Sequence, residues 1–419
     1  MVRVAGRWPA TRRLACRQPP SRRSVSPETA GRARNPGTPC ALPAETLDVM
    51  TLSLTAADLD NQRIDHMVPL VTPALLHHEL PLTPEAADTV RRGREAVARV
   101  LRGEDDRLLV ITGPCSIHDT AAAVDYADHL ARAAGRLGDD LLVVMRVYFE
   151  KPRTVGGWKG LINDPHLDGT GDVNHGLRIA RQLLLALADL GLPAACEWLD
   201  TTIPAYLADT VSWGAIGART VESQTHRMLA SGLSMPVGFK NRRDGDIGVA
   251  VDAVRAAAVR HVVPGVNPSG LPAILHTTGN PDCHLVLRGG GTAPNHDPAS
   301  VHTALTALDD AGLPTRVVID ASHDNSRKDH EQQPVVAEAI AEQISAGQRG
   351  IVGVMLESNL QAGRQDLHPG RALTYGRSIT DACMDWATTE AVLNTLAAAS
   401  AARRGTITGD QALSNVARP

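Results

Sequence analysis

The sequence predicts an α/β protein, a (β/α)8 TIM barrel with an N-terminal extension and an inserted β-hairpin. Two observations predict it. From about residue 108 onward, short β-branched or apolar runs alternate with longer amphipathic stretches, the pattern of βα units around a parallel sheet. The runs number eight, the count that closes a barrel, and polar residues follow their ends, where barrel enzymes build their sites.

In chain order, residues 58–107 carry a helical stretch, 84–102, placed to close the barrel bottom or to serve a subunit contact. The strands follow at 108–113, 141–147, 193–198, 214–218, 236–240, 283–288, 316–320 and 350–356. The stretch after the second strand shows the helical logic. Asn174 is its N-cap, Leu177, Ala180, Leu184 and Leu187 share one face, and Gly191 follows the last turn, so the helix coats the barrel's outside. Residues 261–266 and 273–278 also read as extended, but Pro264 and Pro268 interrupt them and no helix separates them, which makes them an inserted hairpin. A doubly wound open sheet is the structural alternative, and the absence of GxGxxG after the first strand counts against it. The expected organisation is a leader at 1–49, an extension at 50–107, a barrel domain at 108–405 and a tail at 406–419.

Residues 1–49 hold nine arginines against three acids and seven prolines, with little apolar periodicity, so they read as a disordered leader. The prolines spoil the amphipathic helix of a transit peptide, and Met50 is read as the biological start. The remaining chain holds 33 basic and 43 acidic residues, near −10, and offers no global basic face to nucleic acid. No apolar run reaches the length of a membrane span. Cysteines at 16, 40, 115, 196, 283 and 383 have no paired spacing, which argues against a disulfide framework or a CxxC zinc site and fits a reducing cytoplasm.

The chemistry gathers past the strand ends. Cys115 follows the first strand in Gly113-Pro114-Cys115-Ser116, strand seven ends in Asp320-Ala321-Ser322-His323, strand eight ends in Glu357-Ser358, and the next loop carries Asp381. A lone cysteine reads most simply as a small buried hydrophobe. Together, though, Cys115, His323, Glu357 and Asp381 make a thiolate, an imidazole and two carboxylates, a set suited to a borderline divalent metal, manganese, iron, cobalt or zinc. Spacing alone does not bring them together. A second cluster is cationic: Arg146, Lys151, Arg153, Lys159, Arg219, Lys240 and Arg288. Single cations ending apolar strands sit in the barrel mouth, where unpaired burial is costly, so they call for anions. Two phosphorylated substrates, one also a carboxylate, bring about five negative charges, matching such a set. The Gly289-Gly290-Gly291 run could bring backbone amides to a phosphate.

At these residues the chain closely resembles the type I 3-deoxy-D-arabino-heptulosonate 7-phosphate (DAHP) synthases, in the microbial branch without a fused mutase domain. The match runs from about Asp60 to Gly405 and includes GPCSIHD at 113–119, MRVYFEKPRT at 145–154, GWKGLINDPH at 157–166, SWGAIGART at 212–220, PVGFKN at 236–241 and SITDAC at 378–383. The resemblance implies a metal held by Cys115, His323, Glu357 and Asp381. It implies phosphoenolpyruvate bound by Arg146, Lys151, Glu197, Arg219, Lys240 and Arg288, with Ala218 and Lys159 also at the substrate site. Arg153 and Thr154 contact erythrose 4-phosphate, and Lys151, Glu197 and His323 are the catalytic candidates. The implied reaction is metal-assisted attack of the phosphoenolpyruvate methylene carbon on the aldehyde, addition of water and loss of phosphate, the first step of the shikimate pathway to aromatic compounds. Homodimers or homotetramers are implied as well.

Two alternatives compete. A sister synthase would use arabinose 5-phosphate to make an eight-carbon 3-deoxy-ulosonate phosphate, and the KPRT signature at 151–154 argues against it. A silent regulatory barrel should have lost ligands or cations, and none is lost. Feedback inhibition by phenylalanine or tyrosine is common in the family, but Val263 and Ala205 stand where sensitive relatives have an aromatic and an amide side chain, and a Lys-Trp pair is missing. Ser234, Asp60 and Arg63 retain polar groups. Weak or no inhibition is expected. Cys196, Cys283 and Cys383 read as small buried residues, and His118 and His284 as structural.

Overall fold

The structure is a computed structural model. It describes residues 60–416 apart from 154, 292 and 369, and of 406–416 only the helical backbone. The leader at 1–49 and Thr154 therefore lie outside the described residues. Residues 60–68 belong to a separate unit with a turn in which Ile64 N–H donates to Asn61 O at 2.9 Å; the main unit begins at Pro69.

Eight parallel strands close the barrel: β1 (Leu108–Gly113), β2 (Leu141–Arg146), β3 (Ala194–Glu197), β4 (Trp213–Ile216), β5 (Val237–Lys240), β8 (His284–Leu287), β9 (Val317–Asp320) and β10 (Ile351–Glu357), in the spatial order β1-β10-β9-β8-β5-β4-β3-β2. β6 (Val262–Val266) and β7 (Pro272–His276) pair antiparallel as a separate ribbon, as their prolines and missing crossover helix predict. The closed order sets aside the doubly wound alternative.

Alternation along each strand divides the interior into two cores. Leu108, Val110, Leu141, Val143 and Met145 face the surrounding helices, whereas Leu109, Ile111, Leu142 and Val144 fill the barrel's inside. The inner core also takes Val97, Val100 and Leu101 from the helix Pro84–Arg102, so that helix plugs the barrel bottom. Thr83 caps its start by accepting the Ala86 N–H, and left-handed Gly103 ends it. One expectation is corrected in detail. The helix Val173–Asp189 is capped by Asp172, whose side chain accepts the His175 N–H; Asn174 instead accepts the Val71 N–H and donates to Pro69 O, tying down the segment before the first helix. Leu177, Ala180, Leu184 and Leu187 are buried on the face the periodicity gives them. The last helix runs from Trp386 to Val416, through the start of the segment expected as a tail.

Candidate active site

The C-terminal ends of β1 and β10 adjoin, Gly113 opposite Glu357, so the loop after one strand meets the last residue of the other. Buried Gln333 pins Glu357 by its backbone, accepting its N–H at 2.9 Å and donating to its carbonyl at 3.2 Å. The loop after β10, closed on itself by Gly363 N–H donating to Cys383 O at 2.8 Å, folds back over β1, held there by Ser116 Oγ against Thr380 Oγ1 at 2.7 Å. Asp381 is thereby carried to Cys115, with Oδ2 at 3.5 Å from Sγ. The ligand atoms of Cys115, Glu357 and Asp381 lie within 4.8 Å of one another. His323, the fourth expected ligand, stands at the edge of this group and not within it, its Nε2 3.8 Å from Glu357 Oε1.

His323 occupies the left-handed backbone region at φ 55°, a conformation that a side chain adopts only where surroundings impose it. Its Nδ1 faces Asp320 Oδ2 at 2.9 Å and Ser322 Oγ at 2.7 Å, which leaves Nε2 for the ligand cluster, the carboxylate–histidine–metal relay of many metal sites. Burial would raise the Asp320 pKa, but His323 and Lys240, whose Nζ donates at 2.8 Å, hold it well below the usual carboxylate range. Burial above all, reinforced by the Glu357 charge, pushes the Cys115 thiol up to about 11. Lys151 Nζ, 3.0 Å from Cys115 Sγ, opposes this and would support a thiolate, and a divalent cation would supply the missing positive charge. The four donors therefore fit a metal that accepts sulfur, nitrogen and oxygen.

Beside the cluster opens a cavity of about 350 Å³, lined by Lys151, Arg153, Glu197, Ala218, Arg219, Lys240, Arg288, His323 and Asp381. Most of the predicted substrate residues thus share one space with two of the predicted ligands. The expectation that every strand-end cation awaits an external anion needs correction. Arg146 is fully buried, pairs with Glu357 at 2.7 Å and stacks 3.7 Å over the Tyr148 ring, off the cavity lining. Lys240 pairs with Asp320, and Arg288 with Asp324. Three of the cations are compensated by carboxylates that arrive from β9, β10 and the loop after β9, because a low-dielectric barrel end does not tolerate bare charge. Lys159 is exposed, off the cavity lining, and its carbonyl accepts the Lys151 N–H at 2.9 Å. The triglycine expectation fails as well. Gly289 N–H donates to Asn295 Oδ1, Gly290 N–H to Ala293 O and Gly291 N–H to Arg243 O, so none of the three amides is free for a phosphate. Those glycines permit close loop packing instead: a Cβ on Gly290 would sit 2.5 Å from Gly245 Cα.

A family model described as the DAHP synthetase I family matches residues 79–394, a span containing every site residue named above. The chain belongs to this family. It is 54% identical over 346 residues to the Phe-sensitive phospho-2-dehydro-3-deoxyheptonate aldolase of Escherichia coli strain K12, covering 83% of this chain and 99% of that one. Identity to the Tyr-sensitive enzyme of the same organism is 50% over 336 residues, covering 80% and 94%. The solved structure of the phospho-2-dehydro-3-deoxyheptonate aldolase from Francisella tularensis SCHU S4 matches with TM-score 0.80 and 48% identity, covering 81% of this chain and 99% of that one.

This member of the DAHP synthetase I family has site residues that sequence reasoning missed: Asp320, Asp324, Arg243 and Lys328, the last three lining the cavity. Asp320 ends β9, and its pairing with Lys240 is set by tertiary packing, although its other partners, Ser322 and His323, follow within three residues. Gly217 stands in the SWGAIGART motif; a Cβ there would lie 2.1 Å from Glu197 Oε1, so glycine leaves the carboxylate its place. The bland readings agree with the geometry. His284 accepts the Trp213 indole N–H at 3.2 Å and is pushed down to about 4 by burial, hence neutral. Cys196 Sγ lies 3.1 Å from Val147 O, away from the cluster. Buried Cys383 accepts the Cys115 N–H at 3.4 Å.

Proposed function

We infer that this protein condenses phosphoenolpyruvate with erythrose 4-phosphate and water, giving DAHP and inorganic phosphate, the first step of the shikimate pathway. The observation that carries this reading is that the thiol–imidazole–carboxylate cluster and the cation-rich cavity share one barrel mouth, through Lys151, His323 and Asp381. Cys115, His323, Glu357 and Asp381 would hold a divalent cation, which would supply Lewis-acid polarisation of an aldehyde oxygen. Arg219, Lys240 and Arg288 bind the phosphoryl and carboxylate groups of phosphoenolpyruvate, and Arg153, with Thr154, binds the aldose phosphate. Arg146 acts at one remove, holding Glu357 in place. Glu197 and Lys151 face the substrate and handle the protons exchanged as water adds at the former enol carbon. Asp320 keeps the His323 ring oriented.

Phosphate release from phosphoenolpyruvate, measured with and without erythrose 4-phosphate, tests the reading. Release should require the aldose, stop with a chelator and return with manganese, iron, cobalt or zinc. Arabinose 5-phosphate should give no product, and its acceptance in preference to erythrose 4-phosphate would replace this reading with that of the sister synthase. A cytoplasmic homodimer or homotetramer is the accompanying proposal. It rests on the family resemblance; among the described residues no helix is long and apolar enough to cross a membrane.

A further inference from the structure

Among the cations that line the cavity, those at the strand ends are already engaged: Lys240 by Asp320, Arg288 by Asp324, and Lys151 by the Cys115 sulfur. An incoming anion meets unpaired charge first. Arg219 donates only to the Pro152 carbonyl, at 2.9 Å. Arg243 makes no side-chain hydrogen bond or ion pair among the described residues, yet it lines the same cavity as Arg219, Lys240 and Arg288.

Its position is built rather than incidental. The preceding residue, Arg242, is pinned by Glu222 at 2.6 Å and Asp244 at 2.7 Å, and its N–H donates to Asp246 O at 3.0 Å. The carbonyl of Arg243 accepts the Gly291 N–H at 2.8 Å, and Gly290 packs against Gly245 so closely that no Cβ fits between the loops. Of two adjacent arginines, the loops after β5 and β8 thus neutralise one and leave the other, without a carboxylate partner, at the cavity wall. A guanidinium there offers a bidentate grip on a tetrahedral dianion.

We propose that Arg243 binds the phosphoryl group on the phosphoenolpyruvate side of the cavity, beside Arg219, and retains it as inorganic phosphate after the bond to carbon has broken. This rests on the reading of the cavity as a phosphoenolpyruvate site. The aldose phosphate, on the Arg153 side, does not touch it.

Titration calorimetry of the metal-loaded protein with phosphoenolpyruvate alone, and separately with inorganic phosphate, tests the proposal without turnover. Arg243→Ala should weaken both by about tenfold at low salt, and Arg243→Lys should recover part of the loss. The KM for erythrose 4-phosphate should stay within about twofold, and metal content and thermal midpoint should match the wild type, because the side chain is exposed. Unchanged phosphoenolpyruvate binding by Arg243→Ala, or a rise confined to the erythrose 4-phosphate KM, would overturn the assignment while leaving the activity reading intact. Arg243-dependent binding of phosphate without any binding of phosphoenolpyruvate would sink the activity reading and keep Arg243 as a phosphate cation. A wild-type protein that bound neither would defeat both.

Discussion

At the Cys115 sulfur two influences oppose each other: burial and the Glu357 carboxylate disfavour a thiolate, and Lys151 at 3.0 Å favours it. A bound divalent metal would tip the balance, so Cys115→Ala should lose more than about tenfold in metal affinity, the lower end of what even outer partners of a ligand cost, and lose activity with it. Cys196→Ala should keep both, since that sulfur meets only the Val147 carbonyl. Elemental analysis and turnover on the same samples decide it; stoichiometric metal with normal rates in Cys115→Ala would mean another ligand set. Cys115, His323 and Glu357 were legible as candidate ligands because each stands at or just past the end of an apolar run, whereas Asp381 lies in a loop that offers no such run. Their convergence was not legible, because it depends on the loop at 358–385 folding back over β1, a tertiary event with no local signature. Glu150 gives a separate test. It is buried beside the mouth, accepts the Leu199 and Asp200 N–H groups at 3.4 and 3.3 Å, and faces Asp200 and Glu197. Burial first, then those charges, raises its carboxyl from 4.5 to about 8. The folded pKa lies above the unfolded one, so the stability from its neutral form is fully present below about 4.5 and is lost as pH rises through about 8. Glu150→Gln should therefore flatten the fall in thermal midpoint between pH 5.5 and 8.5. Identical pH slopes for the two proteins would show that Glu150 does not titrate in this range.

Among the elements, the strands were the most legible and the caps the least. Strand runs buried on both faces announce themselves by apolar continuity, whereas the choice of Asp172 over Asn174 as cap turned on a contact with Val71 and Pro69, more than a hundred residues away in sequence. The same limit applies to the cations: the sequence places arginine and lysine at strand ends but cannot say which carboxylate will meet them. The ribbon of β6 and β7 bears on regulation. Val263 pairs across it with Leu275, and Ala205 lies in the short helix Pro204–Leu207. An effector amino acid inhibits only by binding active and inactive states differently, and its ring needs an apolar slot while its ammonium and carboxylate need polar partners. Valine in place of an aromatic removes a ring contact of about 0.5–1.5 kcal/mol, and alanine removes an amide hydrogen bond of about 1 kcal/mol, together at least tenfold in affinity. The two E. coli relatives, similar to this chain by 54% and 50%, bear different effectors in their names, so overall identity does not fix the effector. Phenylalanine and tyrosine should inhibit weakly or not at all at concentrations that silence sensitive relatives. Initial rates at saturating substrates test this, and strong inhibition by either would mean that the slot survives both replacements.

For the molecule as a whole, the question is how much of the chain the catalytic barrel needs. The E. coli relatives are covered over 99% and 94% of their own lengths by 83% and 80% of this chain, and the family match begins at residue 79. The main unit begins at Pro69, and its first long element is the plug helix Pro84–Arg102. Residues 1–49 have a composition poor in the apolar surface that would offset the entropy of ordering them. We therefore propose that a chain beginning at Met50 keeps kcat, both KM values and the thermal midpoint within about twofold or a few degrees of the full chain. The contrasting truncation begins at Glu104 and removes the plug. Val97, Val100 and Leu101 would leave the inner core, exposing Leu109, Ile111 and Leu142 beneath them. At roughly 1.5–3 kcal/mol for each buried side chain withdrawn, the loss is about 5–9 kcal/mol, comparable with the entire stability of an ordinary domain. That chain should be insoluble or molten, whereas the Met50 chain should be fully active. Steady-state kinetics and thermal unfolding of both separate the two boundaries. An inactive Met50 chain would show that the leader contributes to the folded enzyme, and an active Glu104 chain would show that the barrel bottom closes without its plug.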